Sequence, residues 1–286
     1  TVFYNAMLPH VAPANKLGRV SGWAWGLGYL GGLSALAFAL FGFIGLGDIK
    51  PFIKLPTEDF EHIRITGPFI AAWFVVFMLP LFLFTKDVEM KALGFWEALS
   101  QGLSQLSTSA KNARKHKNFL TFLIASAIYR DGLVTLFAIG GVYAAGQFGM
   151  DFTEILIFAI GLNVTAGLGA FGFAFADDAF GSKATIIISL IGLIIVGGAI
   201  LLITSKVVFI ILAMGLGIFM GPVQAASRTM ISKLCPPDMI TQGYGLYAFT
   251  GKSISFFGPL AFGTATTIFA TQQAGMATII IFWLVG

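Results

Sequence analysis

The chain has 286 residues, of which 57% are hydrophobic and only 10% are charged, with a net charge of +4 and a mean hydropathy of +0.88. A soluble domain carries about 25% charged residues, so this composition excludes a globular protein with a fully water-exposed surface. The single cysteine, Cys235, excludes an internal disulfide and a zinc site built from several cysteines. These properties indicate a membrane protein, whose outer surface contacts lipid.

Seven runs of mostly apolar residues are long enough to cross a bilayer, which takes about 20 residues in a helix. They lack the alternating pattern of spanning β-strands, so we predict an all-α membrane protein. The predicted spans are Val20–Leu46, Gly67–Phe84, Phe119–Gly146, Ile155–Ala176, Ala184–Thr204, Val207–Ala226 and Gly243–Ala270. An eighth apolar run begins at Gly275 and is cut at Gly286, so we expect the chain to be a fragment of a longer membrane protein.

Basic residues predict the orientation, because cytoplasmic loops of membrane proteins are enriched in Lys and Arg. One set of alternate loops holds 11 of them, with Arg228 counted in the loop 227–242, and the other set holds 4. The set with 11 basic residues is therefore predicted to be cytoplasmic. It includes residues 85–118, which contain an apolar stripe at helical spacing, followed by a basic cluster. This stripe predicts a helix on the cytoplasmic membrane face, with a regulatory or partner-binding helix as the alternative; its residues are Leu93, Trp96, Leu99, Leu103 and Leu106.

Polar residues inside the predicted spans are candidates for a solute site, because charges in the membrane interior usually face a cavity or a partner. Tyr129, Arg130 and Asp131 lie in the third span, Asn163 in the fourth and Lys252 in the seventh. A rise of about 1.5 Å per residue places Asp131, Asn163 and Lys252 at similar depth. They therefore form a predicted substrate or coupling site near the midplane. A structural ion pair between Asp131 and Lys252 is the alternative.

Several short motifs predict gate or hinge positions. The turn between the fourth and fifth spans contains Asp178, Gly181 and Lys183. Glycine–proline pairs permit bending of a membrane helix, and they occur at Gly221-Pro222 and Gly258-Pro259. Motifs of metalloproteases, serine hydrolases, P-loop ATPases and dinucleotide-binding enzymes are absent from the sequence. We therefore expect neither an enzyme nor an ATP-driven pump, and no metal or cofactor.

The string Asp178-Ala-Phe-Gly181-Ser-Lys183 resembles the inter-helix signature of the major facilitator superfamily. The strings that begin at Phe3, Gly18 and Gly221 are similar to its vacuole-effluxer-like branch, which includes autophagy-related vacuolar amino-acid effluxers. Tyr129-Arg-Asp-Gly132 and Tyr247-Ala-Phe-Thr-Gly-Lys252 fit the same branch. One departure is Ala179, where the superfamily signature usually has a basic residue, so the resemblance does not support the usual gate salt bridge at that position.

The resemblance implies a major-facilitator fold with twelve helices in two six-helix bundles, of which about eight are represented here. Residues 1–84 would be the remainder of the N-terminal bundle, 85–118 a cytoplasmic linker and 119–286 the C-terminal bundle with an incomplete last helix.

The implied function is secondary active transport of small solutes by alternating access, with amino-acid efflux as a specific case. The alternative is a transport-inactive membrane scaffold or sensor of the same fold. The expected partners are the lipid bilayer, a small-molecule substrate and protons as a coupling ion, without nucleic acid. The expected state is a monomer in the plasma or inner membrane, or in the vacuolar membrane of a fungus.

Overall fold

The computed structural model describes residues 2–45, 49–85 and 94–286, and the regular elements in these ranges are helices. A membrane helix satisfies all of its backbone hydrogen bonds internally, which explains why these apolar runs become helices. In chain order the helices are α1 Val2–Ala6, α2 Leu8–Val11, α3 Leu17–Ala39, α4 Glu61–Arg64, α5 Thr66–Phe84, α6 Phe95–Ala113, α7 Lys117–Phe148, α8 Phe152–Phe180, α9 Ser182–Leu201, α10 Lys206–Leu234, α11 Ile240–Ser253, α12 Phe257–Phe269 and α13 Gln272–Val285. A π-helical turn, Leu40–Ile44, extends α3.

The chain divides into two compact units. The larger unit comprises residues 1–29 and 102–286, and it contains α7 to α13 together with the first half of α3. The smaller unit comprises residues 30–101. Within it, stacked aromatic rings of Phe38 and Phe69 join the end of α3 to α5, with centroids 5.0 Å apart. The predicted division of the chain at residues 84 and 118 remains a prediction.

Six helical segments of the described chain are long and apolar enough to cross a membrane. They correspond to the first six predicted spans, which confirms an all-α membrane protein. The eighth predicted run forms α13, which has 14 residues. The structure therefore agrees with the fold class expected from the sequence.

The seventh predicted span, Gly243–Ala270, is wrong as a continuous helix. The structure divides it into α11 and α12, with a break at residues 254–256. Pro259 explains part of this break, since it has no N–H to donate to the carbonyl four residues earlier. It lies in the first turn of α12, where a missing N–H costs nothing.

Small residues allow α8 and α10 to approach closely. A Cβ atom added at Gly169 would collide with the backbone of Ile218, and one at Gly217 would lie 2.9 Å from the Leu162 carbonyl oxygen. Pro222 leaves the Ile218 carbonyl without its usual helical donor, and the Gly169 backbone covers that carbonyl. The small residues thus fix the position of α10 along α8, and with it the position of the polar residues near the end of α10.

The α6 helix lies where the amphipathic helix was predicted. Phe95 and Trp96 at its start are 75% and 77% exposed. Leu99 is also exposed, while Leu93 and the side chains of Leu103 and Leu106 lie outside the described residues. The predicted contact of this helix with the cytoplasmic membrane face remains a prediction.

Candidate functional site

A polar cavity of about 100 Å³ lies inside the larger unit, between α1, α3, α7, α10 and α11. We call it the arginine cavity, because two arginines from different helices line it. Its lining includes the side chains of Asn5, Trp25, Arg130, Gln224, Arg228 and Tyr247. Neither Asp nor Glu lines it among the described residues, so the fixed charges that they place around this space are positive.

Arg228 is the more deeply buried of the two arginines, at 4% exposure. Its Nε donates to Ser21 Oγ at 3.0 Å, its Nη2 to the Ser21 carbonyl at 2.6 Å and its Nη1 to Asn5 Oδ1 at 3.2 Å. The guanidinium also lies 5.2 Å from the ring centroid of Trp25. Arg228 thus connects α10 to α1 and α3 through neutral groups alone.

Arg130 reaches the same cavity from α7. Its Nη1 donates to the Tyr247 carbonyl at 3.0 Å, and its guanidinium lies 3.9 Å from the centroid of the Tyr247 ring. A cation over an aromatic face gains about 0.5 to 2 kcal/mol, depending on how far it is desolvated. The ring therefore fixes the arginine without neutralising its charge.

The residues next to the two arginines connect their helices. The Tyr129 hydroxyl and Ser227 Oγ are 2.6 Å apart, and Ser227 itself donates to the Val223 carbonyl. Because the Ser227 proton is used in that bond, the Tyr129 hydroxyl is the donor of the pair. This buried contact fixes α7 against α10, so that Arg130 and Arg228, each the next residue in sequence, reach one cavity.

Asp131 has a different role from the one that its depth suggested. Its Oδ2 accepts a hydrogen bond of 2.8 Å from the backbone N–H of Gly258, and the residue as a whole is 1% exposed. Gly258 lies in the first turn of α12, where backbone N–H groups have no partner within the helix. The carboxylate therefore caps a helix that begins inside the bundle, where the helix dipole favours a negative charge.

The other predicted solute-site residues do not meet at one place. Lys252 is exposed at the end of α11, and no ion pair joins it to Asp131 among the described residues, so the predicted structural pair is absent. The Asn163 side chain donates to the Ala159 carbonyl and lines a separate, largely apolar cavity of about 400 Å³. Of the five predicted residues, Arg130 is the one that lines the arginine cavity.

Charged residues meet at the turn between α8 and α9. Asp178 Oδ2 lies 3.4 Å from Arg19 Nε, and its Oδ1 accepts from the Arg19 backbone N–H at 3.2 Å. The buried Asp177 lies 3.6 Å from Lys233 Nζ and accepts a 2.6 Å hydrogen bond from Ser182. These ion pairs join the first turn of α3 and the last turn of α10 to the same turn.

Among the predicted gate and hinge residues, Gly181 has φ 88° and ψ 156°, a conformation open essentially to glycine. Lys183 is exposed, so the cluster of ion pairs contains Lys233 and not Lys183. Gly221 packs its backbone against α8, and a Cβ there would lie 3.0 Å from the Ala170 side chain. Gly258 and Pro259 lie in the first turn of α12, as described above.

Sequence reasoning missed Arg228 as a site residue, because it assigned residues 227–242 to a loop. The structure corrects this assignment, since α10 continues to Leu234 and buries Arg228. The apolar run ends at Ala226, but a helix continues past an apolar run when neighbouring helices satisfy its polar side chains. The string that begins at Gly221 and resembles the vacuole-effluxer-like branch ends at Arg228, so it indicated this residue, whereas hydropathy alone does not.

Comparison with known proteins gives a family match over nearly the whole chain. The model of the family described as vacuole effluxer Atg22 like matches residues 2–286. The MFS-type transporter YxiO of Bacillus subtilis is 25% identical to the chain over 100% of the chain and 65% of its own length.

Fungal proteins are also similar. Autophagy-related protein 22-1 of Penicillium rubens is 25% identical over 87% of the chain and 44% of its own length. Autophagy-related protein 22 of Saccharomyces cerevisiae is 24% identical over 72% of the chain and 46% of its own length. The chain therefore spans less than two thirds of the length of these relatives.

Proposed function

This chain belongs to the vacuole effluxer Atg22-like family, and we propose that the full-length protein is a secondary active transporter of small solutes that works by alternating access. The observation that carries the proposal is the arginine cavity, where Arg130 and Arg228 face one space inside a bundle of membrane-spanning helices. Charged residues within membrane segments are costly, and in transporters they mark solute and ion pathways. Hydrogen bonds to Ser21 and Asn5 give Arg228 a structural role, but such a role does not account for the charge of Arg130 beside an open space.

The interrupted helix formed by α11 and α12 supports the same proposal. Transporters commonly place discontinuous helices beside their solute sites, because the free backbone groups at a break can contact a ligand. Here Tyr247 of α11 lines the cavity, and the break begins two turns later along the chain. Asp131 satisfies one N–H at the break, which keeps the start of α12 stable within the bundle.

The ion pairs at the α8–α9 turn are the proposed gate. Arg19 and Lys233 are each 35% exposed at their side chains, so solvent reaches the cation of each pair, whereas the carboxylates of Asp178 and Asp177 are 10% and 2% exposed. An ion pair with one solvent-exposed partner contributes up to about 3 kcal/mol when the other partner is buried. Contacts of this strength can break and form again during a transport cycle.

Amino-acid efflux is the specific activity that we propose, because the family description names effluxers and the cavity is positively charged. Protons are the proposed coupling ion, and the proposed protein is a monomer without a cofactor or enzymatic activity. The proposed location is the plasma or inner membrane, or the vacuolar membrane in a fungus. We also propose that residues 1–84, 85–118 and 119–286 are the first bundle, linker and second bundle.

Counterflow in proteoliposomes tests this function. Vesicles containing the full-length protein are loaded with an unlabelled mixture of the standard amino acids and diluted into the same mixture carrying a radiolabel. We expect transient accumulation of label above that in protein-free vesicles. A folded, reconstituted protein without counterflow would instead support the transport-inactive scaffold or sensor.

A further inference from the structure

Two positive charges face the arginine cavity without a negative counterpart. The ion pairs among the described residues join Arg19 to Asp178, Lys206 to Glu154 and Lys233 to Asp177, so neither Arg130 nor Arg228 takes part in one. The closest acidic residue in sequence, Asp131, directs its Oδ2 to the Gly258 N–H. The cavity therefore has an excess of positive charge that the described side chains do not balance.

Such an excess is unfavourable in a membrane-embedded protein. A charged group removed from water is stable only when it is paired or fully hydrogen-bonded. The Tyr247 and Trp25 rings beside the two guanidinium groups reduce this cost through cation–π contacts, which leave the net charge unchanged. An anion in the cavity would reduce this imbalance.

The arginines also have unused donors. Each guanidinium has about five N–H groups. Among the residues that the structure describes, Arg228 forms three hydrogen bonds, to Ser21 and Asn5, and Arg130 forms one, to the Tyr247 carbonyl. Arg130 therefore keeps most of its donors available at the cavity, whereas most donors of Arg228 hold its own position.

We infer that the arginine cavity binds the carboxylate group of a small solute, with Arg130 as the direct ligand and Arg228 as a fixed positive charge beside it. The inference rests on the proposed function, since it names the part of the solute that the transporter holds. A guanidinium forms two parallel hydrogen bonds with a carboxylate, which adds directional specificity to the attraction between charges.

The size of the cavity agrees with such a group. Its volume of about 100 Å³ equals the volume of about three water molecules at roughly 30 Å³ each. A carboxylate with its first carbon fits this space, while the rest of the solute extends out of it. The inference also replaces Lys252 as the residue that holds the negative end of the substrate, because Lys252 does not line the cavity.

Ligand-induced thermal stabilisation of the detergent-purified full-length protein tests the inference. The probes are a mixture of neutral amino acids, the same mixture as carboxamides, sodium phosphate and sodium chloride, all at one ionic strength. We expect the free acids to raise the unfolding midpoint, and the carboxamides, phosphate and chloride to leave it unchanged. Equal stabilisation by the carboxamides, or by either inorganic anion, would overturn the carboxylate assignment, and so would a lack of stabilisation by the acids.

Variants identify the residues. Arg130→Gln should weaken the apparent affinity for the acids by about tenfold or more, because a neutral amide replaces the positively charged donor of the pair. Arg130→Lys should recover part of that loss, and Arg114→Gln, which changes an exposed arginine after α6, should bind like the wild type. Wild-type affinity in Arg130→Gln would overturn the assignment.

The role of Arg228 needs a variant that keeps its charge, because Arg228→Gln removes bonds that join three helices. We expect Arg228→Lys to fold and to bind the acids more tightly than Arg228→Gln, and equal binding by both variants would contradict a role for the charge. Counterflow separates the two proposals. Binding of acids without any counterflow contradicts the transport function alone, whereas counterflow that is unchanged in Arg130→Gln contradicts the carboxylate site alone.

Discussion

The cap that Asp131 forms on α12 predicts a strong effect of one methyl group. Gly258 donates its N–H to Asp131 Oδ2 at 2.8 Å. A Cβ atom added at Gly258 would collide with Thr135 Oγ1 and lie 3.1 Å from Asp131 Oδ1. Thr135 is fully buried and donates to the Asp131 carbonyl, so it has little room to move. Gly258→Ala should therefore displace the cap from the first turn of α12.

The expected loss follows from two opposing effects. A hydrogen bond to a charged group contributes about 1.5 to 3 kcal/mol. Alanine in a helix is favoured over glycine by about 0.5 to 1 kcal/mol, which opposes the loss. We expect Gly258→Ala to lower the free energy of unfolding by about 0.5 to 2.5 kcal/mol from these two contributions.

The same helix offers a matched control. Gly263 also lies in α12, and a Cβ added there would meet no atom within 4 Å. Gly263→Ala should thus keep or raise the stability by up to about 1 kcal/mol. Unfolding of the full-length variants in one detergent, followed by thermal denaturation and by denaturant titration, measures both effects.

Substitution of the carboxylate gives a second check on the cap. Asp131→Asn keeps an acceptor oxygen for the Gly258 N–H and loses only the charge, whereas Asp131→Ala leaves that N–H without its partner. Asp131→Ala should be the less stable variant. Equal stability of Asp131→Ala and the wild type, or equal effects of Gly258→Ala and Gly263→Ala, would refute the cap.

Two further predictions concern packing and charge. Gly22→Ala should destabilise the protein, because the added Cβ would lie 2.6 Å from the Ala174 Cβ. Gly28→Ala should not, because a Cβ there would meet no atom within 4 Å. The unfolding midpoints of the two variants measure this difference, and equal midpoints would contradict it. Lys233→Met should cost more stability than Lys206→Met, because the partner of Lys233 has a side chain that is only 2% exposed and the partner of Lys206 one that is 40% exposed. The first loss should be about 1 to 3 kcal/mol and the second smaller, and the reverse order in denaturant titrations would contradict this expectation.

The spans could be predicted from the sequence because hydropathy reports the property that membrane insertion selects, namely the length of an apolar helix. Arg130 was found by the same reasoning, as a charge within such a run. Arg228 was not, because the apolar run ends before the helix does. Its burial depends on Ser21 and Asn5, which lie more than two hundred residues away in sequence.

Hydropathy also could not predict the division of the seventh span, since a break in an apolar helix does not change its composition. The Gly258-Pro259 pair indicated where bending could occur, but the capping carboxylate comes from α7. The rise per residue placed Asp131 and Lys252 at the same depth in the membrane, but it does not give the rotation of each helix about its axis. That rotation, which packing determines, directs Asp131 to α12 and leaves Lys252 exposed.

The kinetics of counterflow in Arg130→Gln test the central claim most directly, namely that a transported solute is held in the arginine cavity. The full-length wild type, Arg130→Gln and the exposed control Arg114→Gln are reconstituted at equal density, and initial rates are measured over a range of amino-acid concentrations. The account predicts saturable counterflow in the wild type and in Arg114→Gln, with a KM about tenfold to a hundredfold higher in Arg130→Gln, as expected from the loss of one charge-assisted hydrogen bond. A KM in Arg130→Gln equal to that of the wild type would contradict it.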